Sequence, residues 1–172
     1  MKHIENILGG SDLRSLGRTN EVVASTHTKQ DFDYLFTFLY NSRNEIVMRV
    51  ADALEKLSRN NLSLLKGHEE DILNLCHHCT QKTLKWHLAQ MLPRLELDDR
   101  RDAEARRILK DWACDRSNSR IVRVNSLQSL YELEKDRPFI HDELLGMMNQ
   151  LENEGIPSLN ARIRKLSKLI NP

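Results

Sequence analysis

Cysteine is scarce in this chain, with three residues in 172. That is too few for the disulfide framework of a small secreted domain and fits a reducing cytoplasm. Glycine (six), proline (four) and aromatics (5%) are also sparse, which favours helices over many turn-linked strands. No apolar run, including the opening "MKHIENILGG", is long enough for a secretory segment or a membrane span. A cytoplasmic protein that does not enter a membrane is therefore expected. Neither sign of charge is in excess: residues 1–93 carry 11 basic and 11 acidic groups, and 94–172 carry 15 and 14. A dedicated phosphate-backbone binder would need a single-sign field, and the balance argues against one.

Catalytic signatures are missing as well. The chain has no phosphate loop, no Gly-rich dinucleotide turn and no histidine pair around a glutamate, so the common nucleotide and zinc chemistries have no foothold. It has no glycine-flanked serine elbow either. Catalysis needs convergent groups, and the expectation is a non-enzyme with no catalytic residue and no cofactor.

What the chain does have is a repeat. In "EIVMRVADALEKL", Val47, Val50, Ala51, Leu54 and Leu57 form a stripe at three- and four-residue spacing, the signature of an amphipathic helix. Thirty-eight residues on, "TLKWHLAQMLPRL" puts Leu88, Ala89, Leu92 and Leu95 at the places of Val50, Ala51, Leu54 and Leu57. After another 38, Leu127, Leu130 and Leu133 take the last three of those places. Ile163, Leu166 and Leu169 repeat them at slightly shorter spacing.

A shorter stripe precedes each copy, aligning Tyr34, Ile72, Ile108 and Leu144, then Leu35, Leu73, Leu109 and Leu145, then Phe38, Cys76, Trp112 and Met148. The links "NSRN", "TQK", "DRSNS" and "NEGIPS" offer Ser, Thr and Asn as N-caps, with Gly155 ending one helix and Pro157 opening the next. The unit is thus a helix–turn–helix pair, at 31–59, 69–95, 103–135 and 141–170, behind an N-terminal helical cap at 1–30 in which Gly17 ends one helix and Thr19 or Asn20 starts another. Such units bury their stripes only by stacking, so one all-α repeat domain over 1–172 is expected. Pro93 cannot donate to Ala89 and should kink or loosen the last turn of its helix.

In "VMRVADALEKL" and its copies the chain resembles the HEAT-repeat family of armadillo-type proteins, and small stand-alone bacterial HEAT-like proteins open much like "GGSDLRSLGRTNEVV". The resemblance covers about residues 31–170. It implies a right-handed α-α superhelix, a HEAT-like solenoid of about four helix pairs, whose second helices line an inner, concave side.

On that side the register places Arg49, His87 and Asn125; then Asp52, Gln90, Gln128 and Arg164; then Lys56, Arg94, Glu132 and Lys168. Such a polar ladder suits an extended protein partner, although a merely solvated face has the same pattern. Trp86 aligns with Met48 and Val124, where it can anchor a partner or pack between repeats. The binding candidates are therefore Arg49, Asp52, Trp86, His87, Gln90, Arg94, Asn125, Gln128, Arg164 and Lys168. Some helical-repeat relatives are DNA glycosylases, so nucleic-acid binding is the alternative. Apolar surface at either end of the stack would allow a homodimer.

One cluster suggests a metal. "LCHHC" (residues 75–79) sets two cysteines around two histidines. Successive helical residues point about 100° apart, so Cys76 and Cys79 share a side while His77 and His78 do not. No second Cys/His pair has matching spacing, and no metal site is expected, a partial one through Cys79 or His78 being left open. The register makes Cys76 a core thiol.

Overall fold

The computed structural model describes residues 17–137 and 141–170. Their regular structure is entirely helical, with no strand among them. The nine α-helices among the described residues are α1 (Gly17–Ser25), α2 (Lys29–Thr37), α3 (Asn44–Asn60), α4 (Glu69–His78), α5 (Lys82–Met91), α6 (Asp99–Cys114), α7 (Arg120–Glu134), α8 (His141–Glu152) and α9 (Pro157–Ile170). Any helix of the N-terminal cap before Gly17 lies outside the described residues; α1 itself begins at Gly17 and not at the expected Thr19 or Asn20.

The chain divides into two compact units, Met1–Glu96 and Leu97–Pro172. In the first, α3 is the hub and packs on α1, α2 and α5. Its stripe is the reason: Val50, Ala51 and Leu54 are fully buried, and Val47 and Leu57 nearly so. α5 meets it with Leu88, Ala89 and Met91, followed by Leu92, all fully buried. In the second unit α7 packs on α6 and α9, and α8 on α9. Leu109, Trp112, Leu127, Leu130, Met148, Ile163 and Leu166 are buried there. Each buried leucine contributes about 1.5–3 kcal/mol.

Local chemistry sets the helix ends. Thr28 and Asp31 form a reciprocal capping box at the start of α2, satisfying two N–H groups that the first turn leaves open. Asp98 caps α6 by accepting from the Arg101 N–H at 2.9 Å, which starts that helix four residues before the expected 103. Pro93 sits in a tighter 3-10 turn, Leu92–Arg94, that ends α5, because proline has no N–H to continue the ladder. Gly155 has φ +68°, the left-handed region that closes a helix and that a Cβ disfavours.

Three expectations need correcting. The N-cap positions of α3, α5 and α7 are Arg43, Gln81 and Ser119, and none makes a side-chain cap bond. Polar side chains of the links fold the links instead: Asn41 accepts from the Arg43 N–H at 2.9 Å, and Asp115 from the Ser117 N–H at 2.8 Å. Phe38 is only half-buried, because the chain tightens into a 3-10 turn at Phe38–Tyr40 and turns Phe36 and Leu39 inward. Leu169 is 52% exposed, so the stripe of α9 ends one turn early.

Candidate functional site

The stripe residues of α3 turn their neighbours in the helix towards α1 and α5. Asp52, one residue past Ala51, and Glu55, one past Leu54, are both buried. Lys56 donates to Asp52 at 2.8 Å, one helical turn away, and reaches Asn20 on α1 at 3.4 Å. Glu55 receives Arg94 from the end of α5 at 2.5 Å, and Arg59 on three bonds of 3.3, 2.9 and 2.8 Å. Arg94 also donates to the Glu55 carbonyl and the Ser58 hydroxyl. Burial alone would push the Glu55 carboxyl up, but Arg94 and Arg59 outweigh it and hold the group below the usual carboxylate range.

His87 lies in the same layer, 3% exposed, with its ring stacked on Trp86 at 4.5 Å between centroids. Its Nδ1 has no hydrogen-bond partner among the described residues. Burial pulls its pKa below the ordinary histidine value; the charges of Asp52 and Glu55 act against that pull, and Lys56 adds to it. Burial wins because an imidazolium loses its hydration there.

The ladder read from the sequence is therefore not one solvated face. Arg49, Asp52 and His87 are buried, while Trp86, Gln90 and Arg94 are half-buried. Asp52, His87 and Arg94 are gathered around α3, with Glu55 at the centre. In the second unit Asn125 and Gln128 are half-buried, and Arg164 and Lys168 are exposed. Asn125 donates back to the Ile121 carbonyl at 2.8 Å, and Gln128 donates to Glu132 and accepts from Arg162. Glu55 was legible as an (i, i+4) partner of Arg59, but its bond to Arg94, 39 residues away, needs the stacked helices.

The second unit has its own buried cation, which the pattern did not single out. Arg123, 2% exposed, donates through Nε to the Ala113 carbonyl at 2.8 Å and through both terminal nitrogens to Glu154. Beside it, at the starts of α7 and α9, lies an open hollow of about 420 Å³ lined by Arg120, Ile121, Val124, Pro157 and Ser158.

The LCHHC run closes α4. Cys76 is 4% exposed, as the register implies, and the Cys79 Sγ lies 3.9 Å from its carbonyl. His77 and His78 are exposed, and the His78 Nδ1 sits 2.8 Å from the Asn74 carbonyl of its own helix. Burial pushes the Cys79 thiol up to about 11, with Lys85 only partly offsetting it, which disfavours the thiolate a metal would need. Among the described residues no group of three His, Cys, Asp or Glu side chains is placed to hold a metal ion. A different histidine is engaged: His68 stacks on Phe36 at 4.0 Å and meets Asp33 Oδ1 at 2.6 Å, and Lys29 bonds the same oxygen. With the lysine there, the pair serves to join α2 to the start of α4.

No described helix is long and apolar enough to cross a membrane. Comparison of the chain with protein-family models, with curated proteins and with solved structures finds no match.

Proposed function

We propose that this chain is a non-enzymatic protein-binding scaffold, a HEAT-like right-handed superhelix whose second helices α3, α5, α7 and α9 form the binding face. One observation carries the reading. Within each unit, second helix packs on second helix, α3 on α5 and α7 on α9, so that neighbouring repeats present half-buried side chains side by side. Such a row suits an extended protein partner that reads amide and guanidinium groups. Of the residues on this face, Trp86, Gln90, Asn125, Gln128, Arg164 and Lys168 are accessible enough to meet a partner. Arg49, Asp52 and His87 are buried and are not offered to a partner. The nucleic-acid reading is the weaker one, because Arg94 is committed to Glu55, Lys56 to Asp52 and Arg123 to Glu154. Cations neutralised in this way release few counterions from a phosphate backbone.

The test is capture of partners from a cell extract on the immobilised full-length chain, beside a variant with Gln90, Asn125, Gln128 and Arg164 all changed to alanine. A protein partner held by the wild type and lost by the folded variant is the expected result. No partner on the wild type, or the same partner on both, overturns the proposal. A duplex DNA probe that shifts at low salt and is released by added salt would favour the alternative.

A further inference from the structure

The hollow at the starts of α7 and α9 is lined by a residue whose register position changes size between repeats. Val124 stands where the preceding repeat has Trp86, and that indole lies across the ring of His87. In the second unit the same two places hold Val124 and Asn125, whose side chains are far smaller. About 420 Å³ stays open, walled by Ile121, Val124 and Pro157. Ile121 is 44% exposed, a large apolar side chain that the described fold leaves uncovered.

The surroundings are positive. Among the described residues no carboxylate lines the hollow, and Arg120 stands on its rim. The first turns of α7 and α9 both lack an acidic residue, so the partial positive charge of each helix start is not countered there by its own side chains. Glu154, the nearest acid along the chain to α9, is committed to Arg123. Arg116, with a 79% exposed side chain, also pairs with Glu154, at 3.5 Å.

We infer that this hollow is a docking site for an acidic peptide segment of a protein partner, which inserts one aromatic side chain over Val124. The partner's ring packs on the apolar wall of Ile121, Val124 and Pro157. Its acidic flanks face Arg120 and the two helix starts, where opposite charge also speeds encounter. The inference rests on the scaffold reading and gives it a partner chemistry.

The probe is a fluorescein-labelled synthetic decapeptide with one central tryptophan between glutamates, followed by fluorescence anisotropy on the full-length chain. Its controls replace the tryptophan with alanine, or the glutamates with lysines. The acidic tryptophan peptide is expected to bind at least about tenfold more tightly than either control, and more weakly as salt rises from about 50 to about 500 mM. Val124→Trp should fill the hollow from inside, weaken binding at least about tenfold and leave the melting temperature unchanged or higher. Arg120→Glu, a surface change, should weaken the acidic peptide and improve the lysine one.

Equal affinity for all three peptides overturns the inference, as does unchanged binding by a folded Val124→Trp chain. Either result, with partner capture still lost in the four-residue alanine variant, refutes this hollow alone. A wild-type chain that captures no partner refutes the scaffold reading itself.

Discussion

The guanidinium of Arg123 on α7 donates to both carboxylate oxygens of Glu154, at 3.0 and 2.9 Å, across 31 residues of chain. This pair joins α7 to the turn between α8 and α9. The arginine is 3% exposed at its side chain and the glutamate 12%. A cation so far from water depends on its partner.

Glu154→Ala should therefore lower stability by about 2–4 kcal/mol, since it leaves a buried guanidinium with the Ala113 carbonyl and no counter-charge. Arg123→Met, of similar volume, should cost less than that because no charge is stranded. Urea titration of the two variants checks the order. The Arg123 bonds and charge also hold the Glu154 carboxyl below its usual range. Its stabilising effect is present above the unfolded carboxylate pKa and is lost as pH falls through the lower, folded value.

His87 gives a linkage of the same sign in the first unit, but from a group that folding keeps neutral rather than charged. Burial sets its folded pKa below the ordinary histidine value, so the unfolded chain takes up the proton first. Stability should be full above the unfolded pKa and fall as pH drops from there to the folded pKa. His87→Gln should flatten that part of the curve relative to wild type. Urea midpoints from about pH 5 to about pH 7.5 measure it; parallel curves for the two proteins would refute the assignment.

Leu54 and Leu130 hold corresponding places in the first and second units, 0% and 3% exposed. Leu→Ala at either should cost about 2–5 kcal/mol. Helical-repeat stacks lean on nearest neighbours, so the loss should concentrate in one unit. Hydrogen exchange should show faster exchange in α3 and α5 for Leu54→Ala, and in α7 and α9 for Leu130→Ala.

The three thiols should react in a fixed order. Cys114 is exposed, Cys79 is half-buried with its pKa near 11, and Cys76 is buried. Burial raises the Cys114 pKa as well, so even the first reaction should be slower than that of a small free thiol. Ellman's reagent at about pH 8 should modify Cys114, then Cys79, and Cys76 only on unfolding. Added zinc should leave the melting temperature unchanged, since a metal that binds only the folded state would raise it.

Helical class and core were legible in the sequence because stripe spacing is a local property. Leu54, Leu92, Leu130 and Leu166 all lie in the core at the places the repeat assigns them. Cys76 followed from the same register, and Pro93 and Gly155 from backbone chemistry that needs no partner. The side-chain caps expected at the starts of α3, α5 and α7 do not form; at α3 the reason is local, because Asn41 accepts from a nearer N–H group within the link.

The candidate site was legible only as a set of positions. A period of 38 tells which residues share a row, so the sequence by itself determined that Arg49 and His87 belong to one row. Whether that row met water was decided by tertiary packing. α1 and α5 close over α3, and Asp52, Glu55 and His87 become a buried polar layer. The hollow over Val124 has the same origin: the sequence records Ile121, Val124 and Pro157 as apolar, and only the packing of α7 on α9 brings them round one space. Local patterns reach one or two helical turns along the chain. Burial depends on what arrives from 30 or 40 residues away.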